Sequence, residues 1–362
     1  MASKQEKIAD LEEELRTMQY NKRTQHHAGR LKAQIAKLRD AAETSSGGAS
    51  GGGYAVRRSG DATVILLGFP SAGKSTLLNV LTNQESEVGA YAFTTLTVVP
   101  GLLEYKGAQI QVLDVPGIVS GAAAGRGRGK EVLATMRNAD LCLILLDATR
   151  PQELEVLRKE IYDAGIRLDQ RRPDVKIIKK SKDGIDIGRT VRTPQLDDET
   201  IIDILSTFRI FNADIVIRTP ITADQFIDCL QANKKYMSSV LVVNKTDLVS
   251  LEQRKQLEKL RPDLFISATQ EVGIAELKEL LFDKLAFIRI YTKEPGKDAD
   301  MEEPLITRSG STIRDVANKL HRDFEQKFKF ARITGPSAKF ARQKQGLDHV
   351  LLDGDILELH TR

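Results

Sequence analysis

The sequence predicts an α/β fold: a larger domain with an inserted small α+β subdomain, an N-terminal helical region and a small C-terminal β-grasp domain. Three observations predict it. Five short apolar runs, at residues 63–67, 110–113, 141–146, 240–243 and 264–266, each end in a polar or glycine-bearing turn, as strands do. Residues 5–43 instead place apolar side chains three to four apart among dense charge, which is helical spacing. The last stretch, 289–362, reads strand, helix, then strand-like runs around an Asp-Gly turn.

The first apolar run, Thr63 to Leu67, leads into Gly68-Phe69-Pro70-Ser71-Ala72-Gly73-Lys74-Ser75, and Thr76 to Leu81 follows with helical spacing. This is a complete G-x-x-x-x-G-K-[ST] phosphate loop in its required strand–loop–helix context. Gly68 and Gly73 let backbone N–H groups turn toward phosphate oxygens, and the helix N-terminus adds its positive end. Lys74 is expected on the β- and γ-phosphates, and Ser75 and Thr76 open the helix, with the Ser75 hydroxyl on Mg²⁺.

Asp114-Val115-Pro116-Gly117 closes the second run. An Asp at a strand end holds Mg²⁺ through water, and the Gly117 N–H is placed to meet a γ-phosphate. Asn244-Lys245-Thr246-Asp247 closes the run Val240 to Val243. A carboxylate at Asp247 accepts two N–H bonds from guanine, a donor pair adenine lacks. The Lys245 stem can lie across the base. Ser267-Ala268-Thr269 after Leu264–Ile266 offers a backbone N–H to the guanine carbonyl. Each segment alone is a turn signal; four in order, each at a strand end, specify a guanine-nucleotide site for GTP and GDP. In Tyr91-Ala92-Phe93-Thr94-Thr95-Leu96, a threonine is the expected γ-phosphate-dependent Mg²⁺ ligand, with Thr95 preferred and Thr94 the alternative.

On these residues, together with Gly125-Arg126-Gly127-Arg128-Gly129, the chain resembles the developmentally regulated GTP-binding (DRG) proteins, Obg-related translation-factor-class GTPases. The resemblance covers nearly the whole chain. It implies a P-loop GTPase domain with an insert, a TGS-like β-grasp domain at the C-terminus, association with the ribosome and its rRNA, and a small stabilising partner protein. The boundaries expected are 1–46 for the helical hairpin, 47–59 for a Gly/Ser-rich linker, 60–288 for the GTPase domain with its insert at 167–236, and 289–362 for the TGS-like domain.

Composition agrees with a globular protein of two or three domains: 362 residues, 41% hydrophobic and 29% charged. A net charge of +4 is too small to establish a nucleic-acid partner. Two cysteines, Cys142 and Cys229, in apolar contexts read as free buried thiols of a reducing compartment. The histidines lack metal-ligand spacing. No apolar run approaches the roughly 20 residues of a membrane span, and the N-terminus has no signal-peptide core. Cytoplasm is expected, with neither membrane nor DNA as partner.

The N-terminal apolar positions are Ile8, Leu11, Leu15, Met18, then Leu31, Ile35 and Leu38, with a break expected near Gln25–Gly29. The hairpin either packs on its own chain or serves as an arm for RNA or a partner. The interval from Asp114 to Asn244 exceeds what one compact domain needs, and strands near 175–179, 185–187 and 213–217 with helices near 198–208 and 222–232 account for the insert. Near the C-terminus, Thr312 can cap a helix whose apolar face is Ile313, Val316, Ala317, Leu320 and Phe324. Lys319, Arg322, Lys327, Lys329, Arg332, Lys339, Arg342 and Lys344 are opposed only by Asp323 and Glu325, with Phe328, Phe330 and Phe340 among them. Such a stretch either tracks an RNA backbone or is a solvated face over a Phe-filled core.

The expected reaction is in-line attack of water on the γ-phosphate, with Lys74, Thr95 and Gly117 as the catalytic set. Ile118 stands where Ras-type enzymes have the water-positioning Gln, so intrinsic turnover should be slow. Backbone groups, a partner or a bound K⁺ are the candidates to complete the site. The resemblance implies K⁺ use, yet Ser71 replaces the Asn that ligates K⁺ in such loops. Arg126, Arg128 and Lys130 offer charge in cis or to a partner. The alternative is a GTP-dependent RNA-binding or scaffold module in which hydrolysis is incidental.

Overall fold

The computed structural model describes residues 4–19, 21, 24–45, 60–82, 99–114, 136 and 138–361. Helices α1 (Lys4–Thr17) and α2 (Gln25–Ser45) come first. Strand β1 (Ala62–Leu67), helix α3 (Lys74–Leu81), strands β2 (Val99–Tyr105), β3 (Ala108–Asp114) and β4 (Leu141–Asp147) and helix α4 (Glu153–Asp163) follow. Then come β5 (Ile166–Leu168), β6 (Val175–Lys179), β7 (Ile185–Arg189), α5 (Asp198–Thr207), β8 (Ala213–Ile217) and α6 (Ala223–Gln231). The chain returns through β9 (Lys235–Asn244), α7 (Leu251–Leu257), β10 (Leu264–Phe265) and α8 (Ile274–Lys284). The last segment holds β11 (Phe287–Lys293), β12 (Leu305–Arg308), α9 (Ile313–Leu320), α10 (Arg322–Lys327), β13 (Phe328–Thr334), β14 (Gln343–Gln345) and β15 (Asp355–Thr361).

The central sheet runs β10-β9-β4-β1-β3-β2. All neighbours are parallel except β2 and β3. Every residue of β1 and β4 is buried, which explains their unbroken apolar runs: helices cover both faces of a parallel sheet. Val64, Leu66, Leu77, Leu81, Val112, Leu143, Val242, Leu277 and Leu281 share one core. Parallel order brings the C-terminal ends of β1, β3, β4 and β9 to one edge, where such sheets bind ligands.

The chain divides into two compact units. One contains this sheet and everything from Met237 onward. Its C-terminal sheet runs β12-β11-β15-β13-β14, with β11 and β15 parallel at its middle, a β-grasp order. Helix α9 packs Ile313 and Val316 against Ile290, Ile333 and Leu357. Phe287 and Ile306 of this sheet reach the core of the central sheet. The other unit joins the N-terminal helices to Ile161–Tyr236. There the small sheet β6-β8-β7 is covered by α5 and α6, and Ala33 of α2 enters the same core as Ile201, Ile204, Ile215 and Phe226.

Three expectations need correction. The hairpin turns earlier than Gln25–Gly29: Asn21 and Thr24 exchange side-chain and backbone hydrogen bonds, and Ala28 N already donates to Thr24 O at 2.9 Å. Gly29 is a packing residue, because a Cβ there would lie 2.6 Å from Thr200 Cγ2 on α5. The C-terminal helix stops at Leu320, since His321 is extended (φ −163°), so Phe324 belongs to the separate α10. Of the two runs around the Asp-Gly turn only Asp355–Thr361 is a strand; Val350 makes a lone bridge to Thr312. Among the described residues no helix is long and apolar enough to cross a membrane.

Candidate functional site

The phosphate loop leaves β1 and enters α3 through a tight backbone. Ser71 and Gly73 are both left-handed, at φ +69° and +94°. Ala72 N donates to Phe69 O at 3.2 Å, and Leu77 N to Gly73 O at 2.9 Å. A Cβ at Gly73 would lie 2.4 Å from Asn244 Nδ2, so glycine is required by approach as well as by φ. Among the described residues no side chain caps α3, which leaves its first N–H groups for an anion. Lys74 Nζ folds over the loop onto Gly68 O and Phe69 O at 3.2 and 3.3 Å. Pro70, Ser75 and Thr76 are exposed around it.

Asn244 joins this loop to two others. Its Nδ2 donates to Ala72 O at 2.8 Å, and its Oδ1 accepts from Ala268 N at 3.0 Å. It is 2% exposed, so both bonds are worth their desolvated value. Thr246 Oγ1 donates to Ile266 O at 2.9 Å, fastening the 244–247 and 267–269 loops again. Asp247 and Thr269 are exposed at the rim, while Ser267 and Ala268 are buried. The segments 68–76, 244–247 and 267–269 therefore converge, as the motif order predicts.

Asp114 stands at the end of β3, paired in register with Leu66 beside the strand that enters the loop. Its Oδ1 is buried and accepts no hydrogen bond among the described residues. Burial pushes its carboxyl above the ordinary range, and the charge of Lys74 pulls the other way. A buried carboxylate oxygen without a donor, on the edge that carries the Ser75 hydroxyl, suits a hard divalent cation with oxygen ligands. Phe93, Thr94, Thr95, Gly117, Ile118, Arg126, Arg128 and Lys130 lie outside the described residues.

One residue of this edge is absent from the sequence reading. Asp147, at the end of β4, bonds Lys245 Nζ through Oδ2 at 2.7 Å and is buried. Its signal was available: like Asp114, it is an acid closing an apolar strand.

The C-terminal basic stretch separates into different environments. Lys319 bonds Asp61 and Ile306 O, and Lys327 pairs with Asp323. Phe328 packs at the edge of the small core. Phe330 instead stacks on His360 at 4.3 Å, with Lys344 and Arg332 at 4.8 and 5.6 Å from its centroid. Arg332 and His360 converge on the buried Glu358, and Phe340 is 64% exposed.

Comparison with known proteins agrees with this geometry. Residues 63–180 match the family model described as 50S ribosome-binding GTPase, 182–287 the C-terminal region of that domain, and 288–361 the TGS domain. An uncharacterized GTP-binding protein of Methanocaldococcus jannaschii is 53% identical over 98% of this chain and 92% of its own length. Ribosome-interacting GTPase 1 of Saccharomyces cerevisiae is 42% identical over 99% of each chain. Developmentally-regulated GTP-binding protein 2 of Homo sapiens is 40% identical over 98% of each. The chain therefore belongs to the developmentally regulated GTP-binding family, Obg-related P-loop GTPases that end in a TGS domain.

Proposed function

We propose that this protein binds GTP and GDP, hydrolyses GTP slowly with Mg²⁺, and works as a switch on the ribosome. The observation that carries the reading is the Asn244 web, which ties the phosphate loop to the 244–247 and 267–269 loops in one arrangement. In this reading the backbone of Gly68–Ser75 and the start of α3 hold the phosphates. Among the described residues Lys74 has two neutral carbonyl contacts to break to reach them. Asp247, exposed at the rim, accepts the two guanine N–H groups, Lys245 lies along the purine face, and Ser267–Thr269 meets the carbonyl side. Ser75 and Asp114, with Thr95 or Thr94, are the proposed holders of Mg²⁺, whose charge offsets that developing on the phosphates. Gly117 is proposed for the γ-phosphate, and Ile118 predicts low turnover until K⁺, a partner or the ribosome completes water positioning. Residues 60–288 are the proposed GTPase domain, with the insert at 167–236.

The ribosome enters through the relative named a ribosome-interacting GTPase. On this chain the candidate rRNA contact is the outer side of the C-terminal sheet, where Phe330, His360 and Lys344 combine stacking faces with positive charge. That surface also favours the second reading, a GTP-dependent RNA-binding module in which hydrolysis is incidental. The test is phosphate release from GTP by the full chain in K⁺ and in Na⁺ buffer, then with ribosomes. Stimulation by K⁺ or ribosomes supports the switch. Tight GTP binding with flat, negligible turnover in all conditions supports the binding module.

A further inference from the structure

Asp147 and Asn244 lie side by side at the ends of the parallel strands β4 and β9. Ala148 N donates to Asn244 O at 3.0 Å, so the two strand ends are locked together. The Asp147 side chain is 5% exposed and both of its oxygens accept hydrogen bonds. Oδ1 accepts from Thr149 N at 2.9 Å and Thr149 Oγ1 at 2.7 Å, and Oδ2 from Lys245 Nζ at 2.7 Å. Burial pushes this carboxyl up, but the bonds from Lys245 and Thr149 outweigh it and hold it below the usual carboxylate range. Lys245 itself has a left-handed backbone, φ +62°, which fixes the direction in which its stem departs.

The two lysines of the site are held differently. Among the described residues Lys74 hydrogen-bonds only neutral carbonyls, at 3.2 and 3.3 Å, with the Asp114 charge near it. Lys245 makes a short charge-assisted bond to a buried, immobilised carboxylate. Charge-assisted bonds are roughly twice as strong as neutral ones, so Lys74 is free to leave for a phosphate and Lys245 stays. A lysine stem ordered only on ligand binding would lose rotamer freedom at that moment and weaken binding.

We propose that Asp147 is a positioning residue for purine recognition: it anchors the Lys245 ammonium so that the aliphatic stem forms one wall of the base pocket before nucleotide arrives. The proposal rests on the assignment of Lys245 to the purine face made above. Asp147 acts only through Lys245, and the base-edge discrimination stays with Asp247.

The experiment measures dissociation of a fluorescent GDP analogue from the full chain. The wild type reports on guanine-nucleotide binding itself: no binding there overturns the parent reading, and the variants are judged only against a wild type that binds. Asp147→Asn is expected to speed dissociation about tenfold, the worth of one charge-assisted bond, while preference for GTP over XTP is retained. Lys245→Met is expected to lose affinity as well, and Asp147→Asn added to it should change nothing further. Wild-type or slower dissociation from Asp147→Asn overturns the proposal. So do losses that add in full in the double variant, because a purely structural acid would act independently of Lys245. If Asp147→Asn does not fold, Thr149→Ala takes its place: it loosens the carboxylate from the other side and should speed dissociation in the wild type but not in Lys245→Met. Equal acceleration in both backgrounds overturns the idea.

Discussion

The two ends of the central sheet carry acids in opposite circumstances. At the N-terminal ends, Asp140 accepts Thr63 N at 3.0 Å and Arg308 at 2.6 Å, and Asp61 accepts Gln109 N and Lys319, both at 3.0 Å. Each carboxylate there closes a strand end with one oxygen and fastens the C-terminal domain with the other. At the C-terminal ends, among the described residues, Asp114 has an oxygen with no donor, α3 has no side-chain cap, and Lys74 rests on neutral carbonyls. Among the described residues, the carboxylates of one edge are spent on the fold, while the other edge keeps Asp114 and the start of α3 open beside the internally bonded Asp147 and Asn244. Satisfied groups stabilise; unsatisfied groups at a rigid edge mark a ligand site.

The largest effect is expected at Lys74. Lys74→Ala should lower GTP turnover by about 100-fold or more, as loss of a transition-state charge contact does, with unfolding of the nucleotide-free protein little changed. Near-normal phosphate release would remove Lys74 from the catalytic set. Next in size is Asp247→Asn, which forfeits two bonds to a carboxylate worth about 3 kcal/mol together, or about 100-fold in GTP affinity. The variant should gain affinity for XTP; competition binding with both nucleotides checks this, and unchanged GTP affinity refutes the base assignment.

Asn244→Ala sharpens the contrast from the structural side. It strands Ala72 O and Ala268 N in a buried position, so urea unfolding should show a loss of about 2–3 kcal/mol even without nucleotide. A loss seen only in the nucleotide-bound protein would mean that the web forms on binding. The smallest effect is expected at the opposite edge. Arg308→Ala should cost at most about 1 kcal/mol, because half of the arginine side chain is in water. A double-mutant cycle with Asp140→Asn isolates the pair; turnover lost in Arg308→Ala would show that the two edges are coupled.

Much of this edge is legible in the linear order of residues because its parts are local. A phosphate loop is one contiguous turn, and each guanine-side segment follows its own apolar strand. Asp147 escapes that reading because its partner, Lys245, is brought near only by the parallel register of β4 with β9. The basic stretch at 319–344 stays open in the sequence for the related reason that helix and strand send successive side chains to different faces. Lys319 is used inside the fold, whereas Lys344 stands by the Phe330 ring. Gly29 reads as a helix breaker and is a close-packing position against Thr200, since helix propensity costs only about 1 kcal/mol and packing overrides it.

By itself, then, the sequence determined the strand and helix pattern, the phosphate loop, the Asn244–Asp247 segment after its strand and the family, all of which are written in short-range spacing. Tertiary structure alone decided that the N-terminal helix α2 shares a core with the inserted sheet, and that Asn244 bridges two loops. It also decided that Lys245 is anchored by an acid from another strand. These depend on which distant backbones become neighbours, and that is settled by burying apolar faces against one another rather than by any local preference.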